Sequence, residues 1–166
     1  DISALRDDPQ LAEIAAQRDV PIILMHIRGT PKNMQKNPYY EDVIGEITDE
    51  LMEAVSRAQE AGIDQGKIIL DPGIGFGKRF SDNLDIIRGI PELKKIGFPI
   101  LIGLSRKSFL GSIVAEQGID RPVEDRLAAS LAANAYCTIF GADIVRVHDV
   151  RETVDMVRVL RAIFSG

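Results

Sequence analysis

Tryptophan is absent from the 166 residues, cysteine occurs once and histidine twice. A single cysteine leaves no partner for a disulfide framework within the chain and suits a reducing compartment. That residue, Cys137, lies in the apolar helical run Ala135-Tyr136-Cys137-Thr138-Ile139-Phe140, which predicts a buried, inert thiol and not a nucleophile. The two histidines, His26 and His148, have no cysteine or carboxylate neighbours at ligand spacing, which excludes a closed structural metal site. Positive charge is also scarce. Twenty Lys and Arg stand against 25 Asp and Glu, a net charge of −5, and non-specific nucleic-acid binding needs a basic face. No apolar run approaches the roughly 20 residues of a membrane span, and no signal-peptide pattern is seen. The expectation is a cytoplasmic protein without nucleic-acid or membrane partners.

What the chain does have is alternation. Helical spacing appears in Leu11, Ile14 and Ala15 behind an Asp8-Pro9 start, with Asp8 as N-cap and Pro9 at the first helical position. It returns in Ile44, Ile47, Leu51, Val55 and Ala58, closed by Gly62. Strands are predicted near 21–26, 67–71, 99–104 and 143–147. Helices are predicted from Ser81 as a cap (with Pro91 interrupting), from about Lys107, from Val123 to Phe140, and after Asp149, where Glu152 gives capping-box spacing. Alternating βα units predict a parallel sheet, and continuous apolar strands predict cover on both faces. One domain spanning 1–166 fits the length, but a closed eight-stranded barrel typically takes about 250 residues. About four βα units plus a leading helix therefore indicate half of such a barrel or a small open sheet. Asp1-Ile2-Ser3-Ala4-Leu5 reads as a strand tail feeding a loop, so a domain incomplete at its N-terminus is expected.

Each strand ends in polar residues. The richest end is Ile68-Ile69-Leu70-Asp71-Pro72-Gly73-Ile74-Gly75-Phe76-Gly77-Lys78. Lys78, Arg79, Arg106, Lys107, Arg146 and His148 all fall at or just past strand C-termini, which meet on one face of a parallel α/β fold. A cationic pocket in an acidic protein favours an anionic ligand such as phosphate, pyrophosphate or carboxylate. Arg79 reads as a solvated surface charge, and Lys107 and Arg146 read as functional. An enclosed Asp71 needs a partner. It either takes two hydrogen bonds from an aminopyrimidinone edge or caps its own Asp-Pro-Gly turn, and turn chemistry alone leaves both open. The glycines lack the endings of known phosphate loops. Ser105 precedes a helix start able to receive a carboxylate or phosphate. His26 reads as a satisfied strand-end residue.

Four stretches together resemble the dihydropteroate synthase family: Leu24-Met25-His26-Ile27-Arg28-Gly29-Thr30-Pro31, the Asp71–Lys78 loop, Gly103-Leu104-Ser105-Arg106-Lys107-Ser108-Phe109-Leu110-Gly111, and Arg146-Val147-His148-Asp149-Val150. The resemblance covers essentially the whole chain and corresponds to the C-terminal portion of a (β/α)₈ TIM barrel. It implies condensation of 6-hydroxymethyl-7,8-dihydropterin pyrophosphate with p-aminobenzoate in folate biosynthesis, a cytoplasmic reaction and a sulfonamide target. It further implies that Asp71 grips the pterin, that Ile2, Met25, Phe76 and Gly103 line its slot, and that Ser105 seats p-aminobenzoate. Lys107 would contact the pterin ring, Arg146 would lie along its face, and Arg146 with His148 would bind the pyrophosphate end, these three being the catalytic groups. A homodimer and Mg²⁺ are implied too, with the metal's protein ligand outside this chain and no metal residue within it. The family's first strands have no counterpart here, so little activity is expected of these residues alone. The alternatives are the pterin-binding domain of a corrinoid-dependent methyltransferase, which Ser105-Arg106-Lys107-Ser108 argues against, and a non-catalytic half-barrel binding pterin or an anion.

Overall fold

The computed structural model describes residues 1–8 and 10–164; Pro9, expected at the first helical position, lies outside them. In chain order the elements are α1 (Gln10–Arg18), β1 (Ile22–Met25), α2 (Val43–Glu60), β2 (Ile68–Asp71), α3 (Phe80–Arg88), α4 (Ile90–Lys94), β3 (Leu101–Ile102), α5 (Ser108–Ile113), α6 (Leu127–Ile139), β4 (Ile144–Val145) and α7 (Val150–Phe164). β1 and β2 pair in parallel, with Ile22 opposite Ile68 and Met25 opposite Asp71. β3 and β4 pair the same way, with Leu101 opposite Ile144. A parallel bridge between Leu70 and Ile100 joins the two pairs. The result is an arc of four parallel strands in sequence order, each followed by helix, which is part of an α/β barrel. Along the outer edge of β1, the Asp1 amino group donates to the Ile23 carbonyl at 2.6 Å, and the Asp1 carbonyl accepts from Met25 at 3.0 Å. The strand-tail reading of these first residues holds.

Side chains alternate across the strands. Ile22, Leu24, Ile68, Leu70, Ile100 and Ile102 join Ile47, Leu51, Ile86, Ile90 and Leu93 of the helices in one buried cluster. The opposite face carries Ile23, Met25, Ile69, Asp71, Leu101 and Gly103. Ile23 and Ile69 are only half-buried there, so the expected cover on both faces is incomplete. That face is the concave side of an arc, and four strands curve without closing over it.

Local signals explain the helix ends. The Asp42 carboxylate accepts from the Gly45 amide at the start of α2. At its end Gly62 takes φ +91°, while Gly62 and Ile63 donate back to Gln59 and Ala58, the paired bonds of a Schellman motif. Asp8 caps α1 through a 3.0 Å bond from Gln10. Two expectations need correction. α3 begins at Phe80, and its starting amide at Arg79 is bonded by Asp82 reaching back at 2.8 Å, so Ser81 lies inside the first turn and is not the cap. Asp149 gives both carboxylate oxygens to Arg106, so its side chain serves a neighbouring loop and not a capping box. Pro91 sits in the first turn of α4, after a break at Gly89.

Candidate functional site

The loop after β2 is held from every side. Asp71 Oδ1 accepts from the Gly73 amide at 2.7 Å, Asn83 Oδ1 accepts from Gly75 at 2.6 Å, and Phe76 donates to the Gly73 carbonyl at 3.0 Å. Four successive carbonyls accept from side chains. Lys107 Nζ reaches Ile74, Gln35 Nε2 reaches Gly75 at 2.9 Å, Lys78 Nζ reaches Phe76 at 3.0 Å, and the Tyr40 hydroxyl reaches Gly77 at 2.9 Å. With three amides spent internally, the loop is no anion nest; its glycines serve close packing. A Cβ on Gly73 (φ +67°) would stand 1.8 Å from the His26 carbonyl oxygen, which only hydrogen avoids.

Asp71 ends β2 beside Met25 and is 6 % exposed. Both sequence readings fit it in part. Oδ1 caps the turn, and among the described residues none donates to Oδ2, which leaves that oxygen for a ligand. Burial pushes this carboxyl up from its ordinary value, while the Gly73 amide and the charges of Lys107, Arg146 and Lys78 pull it down. Lys107 bridges to the loop carbonyl of Ile74 and lies 4.4 Å from the Phe76 ring centroid. Its partial burial lowers the amine to about 8 against the opposing pull of Asp71. Arg146 lies across the backbone of Gly103, where an added Cβ would be 3.3 Å from the guanidinium. Among the described residues no carboxylate lies within ion-pair distance of Arg146. Asp71, Lys107, Arg146, Phe76, Met25 and Gly103 therefore belong to one surface at the strand ends. Ile2 flanks it beside β1 and is half-exposed.

The loops after β3 and β4 are laced together. Ser105 Oγ lies 3.1 Å from His148 Nδ1 and accepts from the His148 amide at 3.3 Å. Ser105 is buried, so its hydroxyl positions His148 and does not project as an open carboxylate seat. Next door, the Arg106 guanidinium bonds Asp149 at 2.9 and 2.5 Å, from a backbone φ of +59°. The cationic mouth is thus smaller than the sequence implied. Arg106 is paired, Arg79 is folded onto Asp82, and Lys78 is buried. Lys107, Arg146 and His148 remain.

A cleft of about 480 Å³ opens beside this surface, between the glycine loop and α5, with Phe76, Lys107, Ser108 and Phe109 on its walls. Hollows of about 470 and 560 Å³ flank α7, and their walls are mainly apolar side chains of β4 and α7, with Arg146 at the edge of the second. Sequence reasoning missed the supporting shell. Gln35 and Tyr40 brace the loop from a segment distant in sequence and Asn83 from the start of α3, and no local signal marks them. The described residues contain no group of three or more His, Cys, Asp or Glu able to hold a metal ion, and the charge at the strand ends is mostly cationic. These residues do not fit a resident magnesium ion, and no step is assigned to one.

Residues 1–148 match the pterin binding enzyme family. The dihydropteroate synthase of Escherichia coli (strain K12) is 40 % identical over 166 residues, covering 100 % of this chain and 57 % of its own length. The dihydropteroate synthase of Yersinia pestis, solved with a sulfonamide drug complex, superposes with a TM-score of 0.92 at 38 % identity, over 99 % of this chain and 58 % of that one. The Xanthomonas albilineans dihydropteroate synthase, solved in complex with 7,8-dihydropteroate, gives 0.89 at 37 % identity, over 100 % and 58 %. The chain thus spans little more than half the length of these relatives.

Proposed function

The chain belongs to the pterin binding enzyme family, and from that premise we propose that it forms the C-terminal portion of a dihydropteroate synthase. The substrates in this reading are 6-hydroxymethyl-7,8-dihydropterin pyrophosphate and p-aminobenzoate. One observation carries it: a buried carboxylate, Asp71, keeps an unspent oxygen at a strand end shared with Lys107 and Arg146. A carboxylate aimed at adjacent N–H donors suits the aminopyrimidinone edge of a pterin. Lys107 over Phe76 offers the ring a stacked, partly cationic wall, with Met25, Gly103 and Ile2 completing the slot. Arg146 and His148 face the pyrophosphate.

In the reaction, the bond between the pterin methylene carbon and the pyrophosphate oxygen breaks, and its electron pair leaves with pyrophosphate. The amine nitrogen of p-aminobenzoate forms the new bond to that carbon and loses a proton to solvent. Arg146 and His148 stabilise the departing negative charge. The p-aminobenzoate carboxylate approaches beside Ser108, at the start of α5. The ligands named for the Yersinia and Xanthomonas proteins support this assignment over methyl transfer. Pairing of two copies and a cytosolic location belong to the same reading, supported by exposed Tyr136, Ile139 and Phe140 at the end of α6 and by the single buried Cys137.

The test fuses this chain to the portion of the Escherichia coli relative that it does not span and follows pyrophosphate release. Release should require p-aminobenzoate, and Arg146→Ala should lower kcat about a hundredfold or more. Release that ignores p-aminobenzoate would contradict the reading.

A further inference from the structure

Lys78 is the deepest Lys or Arg among the described residues, 3 % exposed, and the chemistry above makes no use of it. Its Nζ contacts His26 Nδ1 at 2.9 Å and the Phe76 carbonyl at 3.0 Å. It also lies 3.5 Å from where a Gly73 side chain would begin. His26 is itself 2 % exposed. Burial, ahead of the neighbouring cations, holds its pKa below the ordinary value against the pull of Glu50, so the ring is neutral near pH 7. Nδ1 is then the acceptor for Lys78, and Nε2 carries the proton toward Glu50, 3.2 Å away at too oblique an angle for a good bond. A bare buried ammonium is costly, and a methionine would fill the same space without that cost. A lysine here therefore points to work that needs donors and charge.

We propose that Lys78 is a positioning residue for pterin recognition: it ties the strand end at His26 to the Phe76 carbonyl, fixes the Asp71–Gly77 loop, and lends positive charge to the back of Asp71. This rests on the pterin reading for its effect on affinity, and on geometry alone for its effect on the loop. Of the four side chains that tether the loop carbonyls, Lys78 is the one cation that is almost wholly enclosed, and its pull on Asp71 adds to the larger ones of Lys107 and Arg146. Burial lowers its amine to about 7, with Asp71 and Glu50 opposing and Lys107 and Arg28 assisting that fall. The strut's charge accordingly changes near neutral pH, while both donated bonds survive in the neutral amine.

Two measurements on the 166-residue chain and its Lys78→Met variant test this. The first is amide and lysine side-chain NMR from pH 5.5 to 9. In the unsubstituted chain the Gly73, Gly75 and Phe76 amides should shift together with the Lys78 side chain near pH 7, and in the variant they should be displaced and lose that titration. The second is binding of 6-hydroxymethylpterin. The variant should bind about tenfold more weakly at pH 6, where the amine is charged, and the ratio should narrow by pH 8.5. Loop amides that ignore both the titration and the substitution would overturn the strut. A deficit constant with pH would overturn the charge role. If the unsubstituted chain binds no pterin, the proposed function falls, and the strut is still judged by the loop amides. Should Lys78→Met fail to fold, the titration of the unsubstituted chain decides the same point.

Discussion

At the scale of single residues, the site depends on groups whose environments oppose their charge. Lys78 and Lys107 are held at about 7 and about 8 by burial, against 10.5 for a free lysine. An unfolded chain therefore binds more protons than the folded one between those values, and stability must rise with pH there. Cys137, pushed by burial from 9.0 up to about 12, and buried Tyr40, raised likewise, act in the opposite direction once pH exceeds about 9. Urea unfolding should thus show a gain of about 3 kcal/mol from pH 7 to 9, and Lys78→Met should remove most of it. A flat profile would mean that these amines are hydrated. Gly73 marks the other constraint at this scale. Gly73→Ala forces a Cβ to 1.8 Å from a backbone oxygen at φ +67°, a collision that the strand cannot relieve without moving. About 3 kcal/mol or more of stability should be lost, together with pterin affinity, by urea melts and fluorescence titration.

At the scale of elements, the sequence was legible wherever one local rule settled the matter. The apolar runs before Asp71 and His26 are strands, and the stripe Ile47, Leu51, Val55 and Ala58 faces the core. Gly62 ends α2 because the chain needs a left-handed residue there. Reading failed where a side chain had two possible partners. Ser81 looks like a cap, but Asp82 reaches the Arg79 amide first. Asp149 looks like a cap, but the Arg106 guanidinium of the neighbouring loop outcompetes the helix amides. Lys78 looks like a mouth cation because burial leaves no trace in its neighbours along the chain. β3 and β4 are shorter than their apolar runs, 101–102 against 99–104 and 144–145 against 143–147, because a strand needs a neighbour along its whole length. Helix α2 offers a clean control on the site. Asp42→Ala removes its N-cap bond and should cost about 1 kcal/mol in urea while leaving pterin affinity unchanged. A loss of affinity would tie α2's first turn to the site.

At the scale of the whole molecule, four parallel strands form an arc whose concave face carries Met25, Asp71 and Gly103 and is only half covered. The helix-facing side is a complete core, with Leu24, Leu70, Ile100 and Ile102 essentially inaccessible to solvent. Folding of the arc and closure over its concave face are therefore separable. The proposed pterin slot is built from one side here: carboxylate, aromatic, lysine and guanidinium all come from strand ends within the chain. This surface should already recognise a pterin, and turnover by the 166 residues alone should stay far below that of a closed barrel. Calorimetric titration of the folded chain with a dihydropterin pyrophosphate analogue tests this most directly, with Asp71→Asn and Lys107→Ala measured beside it. Saturable one-site binding, lost in the first variant and weakened in the second, is the predicted result. A well-folded chain that takes up no ligand, or binds it equally with Asn at position 71, would contradict the assignment of Asp71 as the pterin-gripping group.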